Sequence, residues 1–310
     1  MKLMTERAVK RNRKRIKISA QTRIFNLIAI VVLLIASGFC VLPFILIITG
    51  SLTSETSIVK YGYRLIPGEW SLAAYKSVLA YPQTILRAYG VTIVNTLTGS
   101  GLGLMLIAMT GYVLSRKDFL YRNQVSFLIY FTTLFGGGLV PFYIIYTRAL
   151  QLMNSYIAIC LPLLMSPFLI ILMRTFITDS VPDAVVESAK IDGAGHMTTF
   201  LLIVMPIITP GLATVGLFLG LSYWSSWYFS SLFIQDQTRY ELQYYLYKIL
   251  SGAQAAQMLR SKGVTNIPMD LPNETLKLAM TVIVTGPILL LYPFIQRYFV
   301  SGITIGAVKG

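Results

Sequence analysis

The sequence predicts an all-α protein that crosses a lipid bilayer several times. Hydrophobic residues make up 55% of the 310-residue chain and charged residues only 12%, whereas soluble domains carry about 25% charged residues. The apolar residues are gathered into runs of roughly 20, the length at which a helix spans the hydrocarbon core. Because backbone polar groups inside a bilayer must be paired within the protein, we expect these runs to be helices.

The N-terminal segment, residues 1–23, is a basic arm. It carries nine lysines and arginines, and Glu6 is its single acid. Such a bias beside an apolar run is typical of a cytoplasmic segment. The run that follows, about 25–48, exceeds the roughly 7–15 residues of a signal-peptide core, so we expect a retained first span. The formal net charge of +14 therefore indicates membrane orientation rather than nucleic-acid binding, for which no globular domain is available.

Six spans are predicted within a transmembrane domain over residues 24–300, with both termini in the cytoplasm. They cover approximately residues 25–48, 91–114, 125–146, 157–176, 201–224 and 276–295. Residues 51–90 and the long segment 227–275 are predicted to be external loops, and 301–310 a cytoplasmic tail. Glycines in the second span, including Gly103 and Gly111, are expected to let other helices approach closely.

The third and fifth spans are expected to be irregular. Three consecutive glycines, Gly136–Gly138, stand before Pro141 in the third span, which indicates either a packing kink or the wall of a translocation path. Pro206 and Pro210 lie one turn apart in the fifth span. Proline has no backbone N–H to donate, so a bend is expected there.

A polar elbow, Val185–Pro206, lies between the fourth and fifth spans and contains the only histidine of the chain. Ser180 and Asp183 have the S-x-x-D spacing of a helix N-cap, which predicts a short amphipathic helix within about 181–195. Gly193 is suited to the positive φ that ends a helix. The elbow is therefore predicted to be a short helix, a glycine turn and a return to the membrane.

Glu187, in the helix of the elbow, has two open interpretations. Lys190 lies three residues further on, so the two side chains could pair on a solvated helix face. Alternatively, the Glu187 carboxylate offers a charge-assisted hydrogen bond to a basic residue of another protein.

The spacing within the elbow resembles the EAA loop of permease subunits in ABC importers. That pattern is Glu-Ala-Ala, three residues, Gly, nine residues and then Ile-x-Leu-Pro. Here Glu187–Ala189 is followed after three residues by Gly193, and after nine more by Ile203–Pro206. Ser188 replaces the first alanine and Met205 the leucine, and the spacing is unchanged.

The resemblance extends over nearly the whole chain and is to the maltose-type carbohydrate permeases. The ending, residues 292–310, looks most like the subgroup that serves complex oligosaccharides in Gram-positive bacteria. The resemblance implies the six-helix fold of type I ABC importer permeases and a multi-pass position in a bacterial plasma membrane. It further implies that the elbow helix lies in a cleft of an ATPase subunit and moves with it, coupling ATP binding to the pore.

The implied partners are a second permease subunit, expected to be a different chain, two ATPase subunits and an external substrate-binding protein. ATP and Mg²⁺ are then bound by the ATPase, and no cofactor, metal or catalytic residue is expected in this chain, which contains no P-loop. The residues implied to couple it to the ATPase are Glu187, Ser188, Ala189, Asp192, Gly193, Ala194 and Pro206.

The path of the sugar is weakly specified. Aromatic and neutral polar side chains bind sugars, and five of them lie within predicted spans: Asn95, Tyr130, Tyr143, Tyr223 and Trp224. Ordinary packing or an interfacial aromatic belt would also account for each of them, and the partner permease could hold the substrate instead.

Three alternative functions stay open at this point. One is an ABC permease for a non-sugar solute. An ion-coupled secondary transporter would need carboxylates inside the membrane, and none of the 12 acids falls in a predicted span. A membrane enzyme would need a catalytic constellation that the sequence does not display.

Overall fold

The computed structural model describes residues 20–262 and 274–290, and within them the regular secondary structure is helical, as the sequence predicts. Short π segments cover Ile145–Ala149 and Thr199–Val204, and 3₁₀ turns cover Leu161–Leu163 and Gln237–Arg239. The α-helices in chain order are α1 (Ala20–Ser51), α2 (Glu55–Tyr61), α3 (Ala73–Val78), α4 (Pro82–Ser115), α5 (Arg122–Leu134), α6 (Leu139–Ile144), α7 (Tyr156–Cys160), α8 (Pro167–Ser180), α9 (Asp183–Ile191), α10 (His196–Thr198), α11 (Met205–Ile207), α12 (Thr209–Trp224), α13 (Tyr228–Phe233), α14 (Leu242–Ser261) and α15 (residues 274–290).

Two of the described helices, α1 and α4, are long and apolar enough to cross a membrane on their own. Three further pairs pass the same test together but are bent, by 110° between α5 and the α6 segment, by 49° before α8 and by 86° before α12. The described residues therefore supply two to five spans. The count of six stays a prediction, because the sixth predicted span extends to about residue 295, beyond the described residues.

The breaks lie where the sequence places glycine and proline. Between α5 and α6 the chain passes through Gly136–Gly138, and Gly138 has φ +84°, a left-handed conformation that costs a side-chain-bearing residue about 1–2 kcal/mol. Ile208 separates α11 from α12 and stands between Pro206 and Pro210. Prolines on both sides remove backbone donors, so the helical hydrogen-bond ladder is interrupted there.

Helix α4 is the central element, and α8 and α12 pack along it. Glycines permit this approach, as predicted. A Cβ atom at Gly103 would lie 2.8 Å from the carbonyl oxygen of Leu164, and one at Gly111 would lie 2.9 Å from Cγ of Met173. The helix begins at Pro82 rather than near residue 91, so its 34 residues extend about 50 Å, well beyond a hydrocarbon core of about 30 Å.

The two ends of α4 define the two ends of the molecule. The elbow end contains Ser115 and α9. The distal end contains Pro82, α2, α3 and the packed helices α14 and α15, whose apolar side chains form one core with Ile85 and Trp224. Residues 227–275 were expected to be a loop, but the described part of this segment contains α13 and the 20-residue α14. The structure corrects that expectation, since this segment buries apolar helix faces against α4 and α15.

Candidate functional site

Helix α9 begins at Asp183, but not through the expected N-cap. Ser180 is the last residue of α8, and the residue before α9 is Pro182, which provides no side-chain cap. The Asp183 carboxylate instead accepts a hydrogen bond from Lys117 Nζ at 2.7 Å and lies 3.9 Å from Arg116 Nη1. The start of the helix is thus tied to the connection between α4 and α5.

The end of α9 is the predicted glycine turn. Gly193 has φ +82°, and the backbone N–H groups of Asp192 and Ala194 donate to the carbonyl oxygens of Ser188 and Ala189, each at 2.9 Å. These bonds satisfy carbonyls that the end of the helix would otherwise leave unpaired. The elbow therefore reverses direction within a few residues, and Asp192, Gly193 and Ala194 form the turn itself.

The two faces of α9 differ in chemistry. Val186 and Ala189 are buried against the chain's own core, whereas Glu187 and Ser188 are exposed. Ala189 was expected to help the helix enter a partner's cleft, but the structure turns it inward. Ile191, which was not predicted as a site residue, also lies on the exposed face and is 86% exposed. Its position four residues after Glu187 is the signal that could have found it.

Five charged side chains at the elbow end form a connected group, here called the elbow ion-pair network: Arg116, Lys117, Asp118, Asp183 and Lys190. Lys190 Nζ donates to Asp118 Oδ2 at 3.1 Å, and Arg116 Nε lies 3.6 Å from Asp118 Oδ1. The hydrogen bond from Lys190 lowers the pKa of Asp118, and that from Lys117 lowers the pKa of Asp183. Each exposed pair contributes little stability alone, but together they fix the position of α9 beside the α4–α5 connection.

The elbow ion-pair network occupies the lysine that could have paired with Glu187. Lys190 binds Asp118 rather than Glu187. Within the described part of the chain, Glu187 makes no hydrogen bond or ion pair. The interpretation of Glu187 and Lys190 as an intrahelical pair is therefore wrong, and the Glu187 carboxylate is available to another protein.

Behind its exposed face, α9 is joined to the spans by apolar packing. Val186 belongs to one buried cluster with Ile177 of α8, Tyr112 of α4 and Phe200 of the π segment. The Tyr112 and Phe200 rings are 5.4 Å apart. Close-packed interiors transmit displacement, so a movement of α9 would reach α8 and α4 together. Pro206 is exposed and lies two residues before the bend at Ile208.

Three of the five residues expected along a substrate path are instead buried within the chain. Asn95 Nδ2 donates to Glu241 Oε1 at 2.8 Å, Tyr223 Oη to the Cys160 carbonyl at 2.7 Å and Trp224 Nε1 to the Val284 carbonyl at 3.0 Å. These bonds join helices to one another. The structure therefore gives Tyr223 and Trp224 a role in packing, whereas Asn95 also lines a cavity of about 640 Å³.

The other two residues expected along a substrate path are exposed. Tyr130 on α5 and Tyr143 on α6 are 51% and 38% exposed, and the Tyr143 ring stacks on Phe233 at 5.9 Å. Beside the break between α5 and α6 is a cavity of about 470 Å³ that Gly138 and Pro141 help to line. Neither Tyr130 nor Tyr143 lines this cavity, and it is their exposure that keeps them candidates for contact with a solute.

Glu241 was not singled out from the sequence, which placed it in a loop. It is 1% exposed and accepts hydrogen bonds from Asn95 and from Ser230 Oγ. Asn95 is 20 residues before the end of α4, or about 30 Å along the helix, so this pair lies in the distal half of α4. Burial raises the pKa of Glu241 to about 7. No periodic pattern reveals it, because its partner Asn95 is 146 positions away.

The chain is similar to known transport proteins over most of its length. Residues 102–305 match the family described as binding-protein-dependent transport system inner membrane component. The polygalacturonan/rhamnogalacturonan transport system permease protein YtcP of Bacillus subtilis (strain 168) is 33% identical over 290 residues, covering 94% of this chain and 100% of that protein. The protein LplC of the same organism is 33% identical over 288 residues, covering 93% and 96%.

A solved structure gives the same match in three dimensions. It is a chain from the crystal structure of a bacterial ABC transporter involved in the import of the acidic polysaccharide alginate. That chain superposes with a TM-score of 0.74 at 28% sequence identity, covering 91% of this chain and 98% of the other.

Proposed function

Because this chain belongs to the family of binding-protein-dependent transport system inner membrane components, we propose that it forms half of the transmembrane pathway of an ATP-driven oligosaccharide importer. The chain is a type I carbohydrate permease subunit of a bacterial membrane. The observation that carries the coupling mechanism is the exposed face of α9, where Glu187 has no partner among the described residues while Lys190 is held by Asp118.

In the proposed orientation the elbow end faces the cytoplasm and the distal end faces outward. Glu187 then pairs with a basic residue of an ATPase subunit, and Ile191, which is 86% exposed, is covered by the same subunit. Burying a side chain of this size stabilises a contact by roughly 1.5–3 kcal/mol. An acidic and an apolar group one helical turn apart suit a cleft with a cationic rim and an apolar floor.

The coupling step follows from the packing behind α9. ATP and Mg²⁺ are bound by the ATPase, and closure of its two subunits displaces the cleft and α9 with it. Val186 passes the displacement to Ile177 and Phe200, which share its buried cluster. The bend at Ile208, where the segments meet at 86°, is the place where the fifth span can change its direction. Access to the pathway then switches between the two ends.

The proposed assembly contains a second, different permease chain, two ATPase subunits and an external substrate-binding protein. The oligosaccharide is proposed to be acidic, since polygalacturonan and alginate are named for the relatives YtcP and the alginate importer. Polygalacturonan is a chain of galacturonate residues, each with a carboxylate that is charged near neutral pH. A non-sugar solute and ion-coupled transport are the competing functions.

The test is uptake of trigalacturonate by proteoliposomes that contain the complete importer with its binding protein. Uptake is expected to require ATP on the ATPase side and to continue when ionophores collapse ion gradients. Glu187→Arg is expected to abolish ATP-driven uptake, because it places a cation against the cation of the partner. Asp179→Arg, the same charge change at an exposed acid on α8, is the control and should retain uptake. Normal uptake by Glu187→Arg would refute the coupling role.

A further inference from the structure

A cavity of about 370 Å³ lies at the distal end between α14 and α15. Its volume falls within the range of roughly 300–1,000 Å³ that is usual for small-molecule sites. Aromatic rings and hydrogen-bonding groups line it together with apolar side chains: Trp227, Gln243, Tyr247, Lys277, Thr281 and Thr285, and beside them Leu246, Leu250, Met280 and Val284.

The aromatic wall is the open end of a row of four rings. Trp227 stacks on Tyr247 with centroids 4.7 Å apart and planes at 25°, Tyr247 is followed by Tyr244 at 6.5 Å and 17°, and Tyr244 by Tyr240 at 4.7 Å. Tyr240 and Tyr244 are buried, whereas Trp227 is 40% and Tyr247 45% exposed. The buried rings hold the row in place, so its exposed end is a rigid apolar platform with little rotamer entropy left to lose.

Most of the polar groups lie on the opposite wall, on α15, whereas Gln243 lies on α14 four residues before Tyr247. Lys277 Nζ donates to Glu274 Oε1 at 2.7 Å; an ammonium has three donors, so two remain for a ligand. Thr281 and Thr285 donate their hydroxyl hydrogens to backbone carbonyls of α15, which leaves their oxygens free to accept. In the described part of the chain the amide of Gln243 has no hydrogen-bond partner.

An apolar occupant does not suit this combination. A helix or an acyl chain would cover the Lys277 ammonium and the Gln243 amide without bonding to them, and unpaired burial of polar groups is costly. A pyranose ring has an apolar face of C–H groups and an equatorial rim of hydroxyls, and a uronate adds one carboxylate. This pattern matches an aromatic platform that faces one cation, one amide and two hydroxyl oxygens.

We propose that Trp227 and Tyr247 form a sugar-binding subsite on this subunit, where Trp227, the outer ring of the row, stacks against one uronate residue and Lys277 pairs with its carboxylate. The inference rests on the proposed function and deepens it, because it assigns the recognition of acidic sugar to the distal end of this chain. The subsite would receive a sugar residue as the binding protein releases the substrate.

The first test uses the complete importer in proteoliposomes with binding protein loaded with trigalacturonate, and it measures both sugar uptake and ATP hydrolysis. Trp227→Ala is expected to lower the sugar carried per ATP about tenfold by removing the stacking surface. ATP hydrolysis stimulated by the binding protein should persist. Trp227→Phe keeps a ring and should recover most of the uptake. Trp70→Ala, which removes a 70% exposed tryptophan elsewhere at the distal end, should leave the ratio unchanged.

The second test separates charge recognition from stacking. Lys277→Met should lower uptake of trigalacturonate about tenfold relative to neutral galactotriose, because only the acidic sugar pairs with the ammonium. Lys248→Met, on the exposed side of α14 next to Tyr247, is the matched control and should leave this preference intact.

The possible outcomes distinguish the two proposals. Unchanged sugar per ATP in Trp227→Ala would overturn the subsite while wild-type uptake upholds the function. A parallel loss of uptake and stimulated ATP hydrolysis would also overturn it, since that result indicates a structural or docking role. If wild-type importer carries neither sugar, the proposed oligosaccharide function itself fails.

Discussion

Lys190 on α9 donates a hydrogen bond to Asp118 Oδ2 at 3.1 Å, although Glu187 precedes it by one turn on the same helix. Asp118 lies 72 positions earlier, in the connection between α4 and α5. This bond anchors α9 to the nearest span and leaves the Glu187 carboxylate for another protein. One side of the helix is thus committed to the chain, and the other is the side proposed to contact the ATPase.

Breaking the bond between Lys190 and Asp118 should affect coupling more than stability. Both side chains are about half exposed, so Lys190→Met should cost no more than about 1 kcal/mol of folding free energy. ATP-driven uptake should fall several-fold, because α9 loses one of its attachments. The measurements are the thermal midpoint of the solubilised protein and uptake by proteoliposomes. Lys248→Met, a distal lysine, serves as the control, and equal uptake by both variants would contradict the anchoring role.

Replacing Gly193 should destabilise the turn after α9. Gly193→Ala places a Cβ on a residue with φ +82°, which costs about 1–2 kcal/mol. Gly195→Ala is the matched control, because that residue has φ −70° and open space around its Cα. We expect a lower thermal midpoint and weaker assembly with the ATPase for Gly193→Ala alone. Identical behaviour of the two variants would show that the left-handed conformation is not required.

The contact between α4 and Leu164, which follows the 3₁₀ turn before α8, should be sensitive to a single methyl group. Gly103→Ala would put a Cβ 2.8 Å from the backbone oxygen of Leu164, and backbone cannot rotate away as a side chain can. Overpacking of this kind costs roughly 1–3 kcal/mol. Gly101→Ala has nothing within 4 Å of the added atom and should be neutral. Thermal unfolding of the two variants in the same detergent measures the difference.

Stability should fall with rising pH because of Glu241. Burial raises its pKa from 4.5 to about 7, so the folded chain binds more protons than the unfolded chain between these values. The contribution of Glu241 to the free energy of unfolding is fully present below about pH 4.5 and is lost as pH rises through about 7. This contribution is on the order of 3 kcal/mol. Among the described residues no charged side chain contributes to the shift.

Glu241→Gln tests this pH dependence. The glutamine keeps one acceptor oxygen for Asn95, its NH2 group can donate to the Ser230 hydroxyl oxygen, and it cannot ionise. The thermal midpoint of wild type should therefore fall relative to this variant between pH 5 and pH 8. Glu69→Gln, at an exposed carboxyl group of the distal end, should follow wild type at every pH. If the thermal midpoints of wild type and Glu241→Gln changed in parallel with pH, Glu241 would not be buried as a neutral acid.

Local features of the site were predictable because they depend on residues close in sequence. The spacing from Glu187 to Pro206 identified the elbow, and Gly193 identified its turn, because positive φ favours glycine whatever packs around it. The break at Gly136–Gly138 was predicted for the same reason. The inward position of Ala189 was not predictable from the sequence. The element against which a short helix packs decides which of its sides is buried.

The sequence by itself determined the membrane class, the helical fold, the breaks at glycine and proline and the elbow that marks the permease family, because apolar run length and backbone conformation are local properties. Only the tertiary structure decided that Lys190 binds Asp118, that Asn95 bonds with Glu241, and that Trp227 and Tyr247 line a cavity between α14 and α15. Those partners are 72, 146 and 20 positions apart, and it is the packing of helices around α4 that brings each pair within contact distance.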